Sequence, residues 1–158
     1  MTDDRARPVD PDVDLTVPAH RGEVRPREWD LLLTIAAGGI LGAEARYGLA
    51  RWVSHPAGTM PWSTVVINVL GSFLLGALMA LIDARGAHRL LRPFVGVGIL
   101  GGFTTFSTFA VDVDVLLHAH RYGVAAGYLA LTVVACLAAV TAAYRMGRSA
   151  LEPSGGAR

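Results

Sequence analysis

The chain has 158 residues, of which 53% are hydrophobic and 17% charged, with a formal net charge of +1. So high an apolar share, gathered into long runs, excludes an ordinary soluble domain, and arginines placed near the ends of those runs exclude a nucleic-acid-binding face. A single cysteine, Cys136, excludes an intrachain disulfide and a zinc cluster.

Residues 1–30 carry eight of the thirteen acidic residues and show no apolar periodicity or signal-peptide core, so they are expected to be a disordered tail. Residues 31–146 hold four apolar runs, each near the 20 or so residues that a membrane-crossing helix needs. Residues 147–158 are expected to be a flexible C-terminal tail. The predicted class is an all-α polytopic membrane protein.

The first predicted span, Leu31 to Trp52, places Gly38, Gly42 and Arg46 on one helical face by their four-residue spacing. The two glycines make a small-residue surface for close helix packing. Arg46 either snorkels to the headgroups or serves inside the bundle, at carbonyls or an anion entrance. Glu44 is two residues away and cannot pair with Arg46 directly.

The second span opens at Pro61-Trp62 and runs to Ile82, with Asn68 and Ser72 on one face. A membrane-buried amide requires partners, so Asn68 either ties helices together or lines an ion path.

The third span, Pro93 to Leu117, contains the string GILGGFTTFSTF at Gly98–Phe109. Gly101 and Gly102 next to β-branched threonines weaken a helix, predicting a break in the middle of the crossing. In hydrocarbon a break is tolerated only where the freed backbone groups face protein, an ion or water. Thr104, Thr105, Ser107 and Thr108 then line either a site or a tight helix crossing in which hydroxyls bond their own backbone. Asp112 and Asp114, near the far end, are expected to be solvated carboxylates of a vestibule. His118 and His120 are expected to be exposed loop residues.

The fourth span, Tyr122 to Tyr144, aligns Tyr128, Thr132 and Cys136 as a mildly polar stripe, serving either packing or an ion path. Cys136 alone reads as a small apolar side chain.

With four spans both termini share one side, and eleven arginines lie there (Arg5, Arg7, Arg21, Arg25, Arg27, Arg85, Arg89, Arg92, Arg145, Arg148, Arg158) against Arg51 and Arg121 opposite. The positive-inside rule places both termini in the cytoplasm of a cell-membrane protein. No nucleophile with a partnered base, paired intramembrane carboxylates or phosphate loop is present, so no enzyme is expected. The remaining groups suit ions of both signs. Asn68, hydroxyls and ring edges attract an anion, whereas carbonyls freed at a helix break attract a cation.

The strings GGFTTFSTF in span three, GGILGAEARY at Gly38–Tyr47 and NVLGSFLLG at Asn68–Gly76 together resemble the Fluc (CrcB) family of fluoride channels. The resemblance covers all four spans in order. It implies an antiparallel dimer of four-helix subunits with two fluoride pores that export fluoride passively. It implies that Phe106, Phe109 and Asn68 line the pore, with Ser107 and Thr108 beside them. Tyr128 and Thr132 fall on the polar track of the fourth helix, with Cys136 where serine is common. Gly101 and Thr104 match residues whose backbone carbonyls hold a structural sodium ion, and Arg46 matches the family's first-helix arginine. Asp112 stands at the entrance where the family usually has glutamate, Ala110 replaces a frequent hydroxyl, and Glu44 is an unusual acid.

An antiparallel homodimer requires one sequence to insert both ways, and the arginine bias opposes that. The expected partner is therefore either an oppositely oriented homologue or a second copy. The rival functions are a proton-coupled multidrug-type exporter, which Glu44 would serve, and a non-conducting membrane subunit.

Overall fold

The computed structural model describes residues 29–56 and 58–151, and every regular element among them is helical. Helix α1 spans Trp29–Trp52 and α2 spans Trp62–Arg85. A π-helical segment, Arg92–Leu100, runs straight into the three-residue α3, Gly101–Phe103. After an interruption, α4 spans Ser107–His118 and α5 spans Tyr122–Leu151.

The boundaries depart furthest from the sequence expectations at the C-terminal ends of α2 and α5. Helix α2 continues three residues past Ile82 and is stopped by Gly86, whose positive φ of 68° suits glycine and whose N–H donates to the Ile82 carbonyl at 2.9 Å. Helix α5 continues through residues 147–151, where the sequence predicts a flexible tail; the helix accommodates Gly147, and no proline occurs before Pro153. The tail expected at residues 1–30 lies outside the described residues except for Trp29 and Asp30, which are already helical, and residues 152–158 also lie outside.

Among the described residues, three helical stretches are long and apolar enough to cross a bilayer: Trp62–Arg85, Arg92–His118 and Tyr122–Leu151. Helix α1 matches α2 in length at 24 residues but interrupts its apolar face with Glu44 and Arg46. Large apolar side chains such as Leu33, Ile40, Val134 and Leu137 project outward, the reverse of a soluble surface. The chain is a multi-pass membrane protein.

Glycines decide which helices meet. Inside a bilayer, apolar burial does not drive helices together, so close backbone packing carries the association. A Cβ on Gly38 would lie 2.5 Å from the Phe94 carbonyl oxygen, and one on Gly42 would overlap the Ile99 carbonyl. Gly98 reciprocates, with its missing Cβ 2.8 Å from the Ile35 carbonyl. The Gly38/Gly42 face of α1 therefore seats on the π segment. Helix α2 packs along α5, and its Gly76 lies against the Val140 carbonyl. A cluster of Val65, Leu116, Ala125 and Tyr128 closes one end of the bundle.

The predicted interruption exists within the Gly98–Phe109 string, on the C-terminal side of its paired glycines. Gly101 and Gly102 remain helical, and the chain leaves the helix at Thr104, which is extended (φ −74°, ψ 159°), through Thr105 and Phe106. Gly102 is needed for contact, since a Cβ there would meet the Gly39 backbone. The break lies three residues later because partners for its backbone groups are available there.

Candidate functional site at the helix break

Thr104 closes the first half of the interrupted stretch, its N–H and its hydroxyl both donating to the Leu100 carbonyl at 2.9 Å. In an unbroken helix the Thr105 amide would next donate to Gly101. It donates instead to Asn68 Oδ1 at 2.9 Å, while Asn68 Nδ2 donates to the Thr105 carbonyl at 2.9 Å. One side chain of α2 thereby satisfies both backbone groups of a buried residue. The Thr108 amide likewise turns away from Thr104 and donates to Thr105 Oγ1 at 3.1 Å. The Gly101 and Thr104 carbonyls thus lose their helical donors. Arg46 Nη1 donates to the Thr104 carbonyl at 3.4 Å, so the first-helix arginine reaches the break rather than only the headgroups.

The hydroxyls of the string bond chiefly to one another. Thr105 Oγ1 donates to Thr108 Oγ1 at 3.0 Å and lies 3.3 Å from Ser107 Oγ. Thr105 is buried, whereas Ser107 and Thr108 are exposed on the single chain.

Beside the break lies a cavity of about 510 Å³. Asn68, Thr104, Phe106, Phe109, Thr132 and Cys136 are among its lining residues. The Phe106 ring is 80% exposed and its centroid is 5.9 Å from that of Phe109. Phe109 in turn lies 5.1 Å from the ring of Tyr128. Thr132 is only 5% exposed, yet its hydroxyl has no hydrogen-bond partner among the described residues. Asn68 retains one amide hydrogen beyond the bond to Thr105. These donors in a mostly apolar pocket suit a small anion; the two released carbonyls suit a cation.

Asp112 corrects the expectation of a solvated carboxylate. It is half-buried, and its Oδ2 accepts from Thr64 Oγ1 at 2.6 Å and from the Tyr128 hydroxyl at 3.1 Å. Thr64 on α2 and Tyr128 on α5 are both fully buried and converge on α4 from two sides. The Tyr128 hydroxyl is therefore committed to Asp112. Asp114 stays exposed, 3.3 Å from His118, and His118 and His120 are exposed as expected. Glu44 is exposed on α1. Among the described residues, no cluster of three or more His, Cys, Asp or Glu could hold a metal ion.

Sequence reasoning passed over Thr64 and gave Thr105 no separate role. Thr64 carried a usable signal, being four residues before Asn68 and so on the same helical face. Thr105 carried none that separated it from the neighbouring hydroxyls.

Residues 33–144 match the family described as CrcB-like protein, Camphor Resistance (CrcB). The "Fluoride-specific ion channel FluC 2" of Nocardia farcinica is 51% identical over 118 residues, covering 74% of this chain and 84% of the relative. The "Fluoride-specific ion channel FluC 2" of Thermobifida fusca is 50% identical over 117 residues, covering 73% and 86%. The "Fluoride-specific ion channel FluC 1" of Streptomyces coelicolor is 45% identical over 123 residues, covering 77% and 80%. With the break, its clamp and its cavity in place, this chain belongs to the CrcB family.

Proposed function

We propose that this chain is a subunit of a passive, fluoride-specific ion channel rather than an enzyme, with α1 as a fourth crossing beside the three apolar ones. The observation that carries this reading is the Asn68-held break beside a cavity containing a buried, unpartnered Thr132 hydroxyl. The names of the relatives point the same way. Fluoride is small and strongly hydrated, so a selective path must replace its water with closely placed donors. The spare Asn68 hydrogen and the hydroxyls of Thr132, Ser107 and Thr108 supply donors. The ring edges of Phe106 and Phe109 add partial positive charge. Tyr128 acts through Asp112. Fluoride moves down its own gradient, which empties a fluoride-loaded cytoplasm.

The working unit in this proposal is an antiparallel dimer. Phe106, Ser107 and Thr108 stand exposed in the middle of an apolar stretch, and a second chain walls them off from lipid. The eleven-to-two arginine bias favours a single insertion direction with cytoplasmic termini. The partner is accordingly an oppositely oriented homologue, with self-pairing as the alternative.

A structural sodium ion completes the proposal. The two carbonyls released from helical bonding, Gly101 and Thr104, are hard oxygen donors that fit it, and the long 3.4 Å bond from Arg46 is the interaction it would displace or share. When bound, sodium supplies a fixed positive charge near the anion path.

Fluoride efflux from liposomes containing the purified chain, alone and with a homologue of opposite charge bias, tests the reading. Flux in either preparation is expected, and robust flux from the chain alone removes the heterodimer. No flux in both overturns the channel. Replacing sodium with a large organic cation should lower flux without competing with fluoride, and a sodium current would reject the structural role.

A further inference from the structure

We infer that His55 sets the charge of the mouth through which fluoride reaches Asp112, and that its protonation speeds passage; this rests on the fluoride-channel reading above. A second cavity, of about 270 Å³, lies at the Asp112 end of the bundle, with His55, Thr59, Pro61, Asp112 and Leu116 among its lining residues. Asp112 is one helical turn from Phe109, which lines the larger cavity. Tyr128 joins the two, its ring against Phe109 and its hydroxyl on Asp112. The two cavities therefore lie on either side of the Thr64–Asp112–Tyr128 cluster, and in this proposal the smaller one is the approach.

His55 sits in the connection between α1 and α2, half-buried, with Nδ1 3.3 Å from the Ser63 hydroxyl. Among the described residues, the other ionisable side chain lining this chamber is Asp112. Around it, α2 contributes the neutral hydroxyls of Ser63 and Thr64, and α5 contributes Tyr128 through its bond to Asp112. Arg51, at the end of α1, is bonded to Tyr47 at 3.2 Å, and Asp114 of α4 faces His118; neither lines the chamber. With His55 neutral, an incoming anion meets an uncompensated carboxylate. With His55 protonated, the mouth is neutral overall, and low-dielectric walls make that difference felt at the entrance. Histidine is the side chain that gains its charge on mild acidification, so passage should rise as the pH falls.

The test is initial fluoride efflux at equal inside and outside pH, using the full chain in whichever dimer conducts, with protein-free liposomes as background. From about pH 8 to about pH 6 the wild-type rate should rise by about threefold or more. His55→Gln should stay low and flat, and His55→Arg should be fast at both values. Parallel profiles for wild type and His55→Gln overturn the inference, whatever His55→Arg does. Flux that is present but insensitive to pH overturns the role of His55 alone. Absence of flux at every pH overturns the channel reading and this inference with it.

Discussion

The carboxamide of Asn68 is bonded to both backbone groups of Thr105, accepting from its N–H and donating to its carbonyl, each at 2.9 Å. An amide is the smallest side chain that offers a donor and an acceptor in this spacing, and the pairing fixes which end of the carboxamide is which. It also explains how a helix can be interrupted in an apolar environment with both backbone groups of Thr105 satisfied. Asn68→Ala strands both groups and should lower stability by about 2 kcal/mol or more, since each unsatisfied buried group costs roughly 1–3 kcal/mol. Thermal unfolding in detergent and liposome efflux check this. Unfolding at the wild-type temperature would refute the clamp.

Phe106→Ile separates fold from function. The ring is 80% exposed on the single chain, so its replacement should change the stability of the unassembled chain by no more than about 0.5 kcal/mol. Fluoride efflux should nevertheless fall to background, because isoleucine has no positively polarised ring edge. Unchanged flux would reject the role of the ring.

Thr64 and Tyr128 donate to the same oxygen of Asp112, so their loss should not be additive. Thr64→Val and Tyr128→Phe should each destabilise by about 1.5–3 kcal/mol, the range for hydrogen bonds to a charged group. The double variant should lose less or more than the sum by at least about 0.5 kcal/mol. Denaturant unfolding of the three variants measures the coupling, and strict additivity would mean the two hydroxyls do not share the carboxylate.

Thr132 is the reverse case, a buried hydroxyl without a partner. Thr132→Val keeps the shape and removes the unsatisfied group, so stability should hold or rise by about 1 kcal/mol. Efflux should drop, and Thr132→Ser, which retains the donor, should preserve it. A clear loss of stability in the valine variant would show that the hydroxyl is bonded within the fold and is not held ready for an ion.

Much of the architecture was legible because it depends on local pattern. The four-residue spacing of Gly38, Gly42 and Arg46 correctly put them on one face, but spacing is silent about the partner. The π segment that receives those glycines was not foreseen, since its geometry has no composition of its own. The break falls inside the expected string, at its threonines rather than at its paired glycines. Glycine propensity pointed to Gly101 and Gly102, whereas the deciding partner for Thr105 came from Asn68, 37 positions earlier in the chain.

Asp112 shows the same limit from the other side. A carboxylate near a helix end reads as solvated until two hydroxyls from different helices are found against it. His55 and Asp112, from a connection and a distant helix, could not be assigned to one chamber by any periodicity.

The order of amino acids by itself determined an all-helical membrane protein with an interrupted third stretch, since apolar run length, small-residue spacing and loop charge act within one segment at a time. Only the tertiary structure decided where the interruption falls, which hydroxyls are already engaged and which one is free. Those outcomes depend on hydrogen bonds between residues far apart in the chain, and such bonds exist only once the helices have packed.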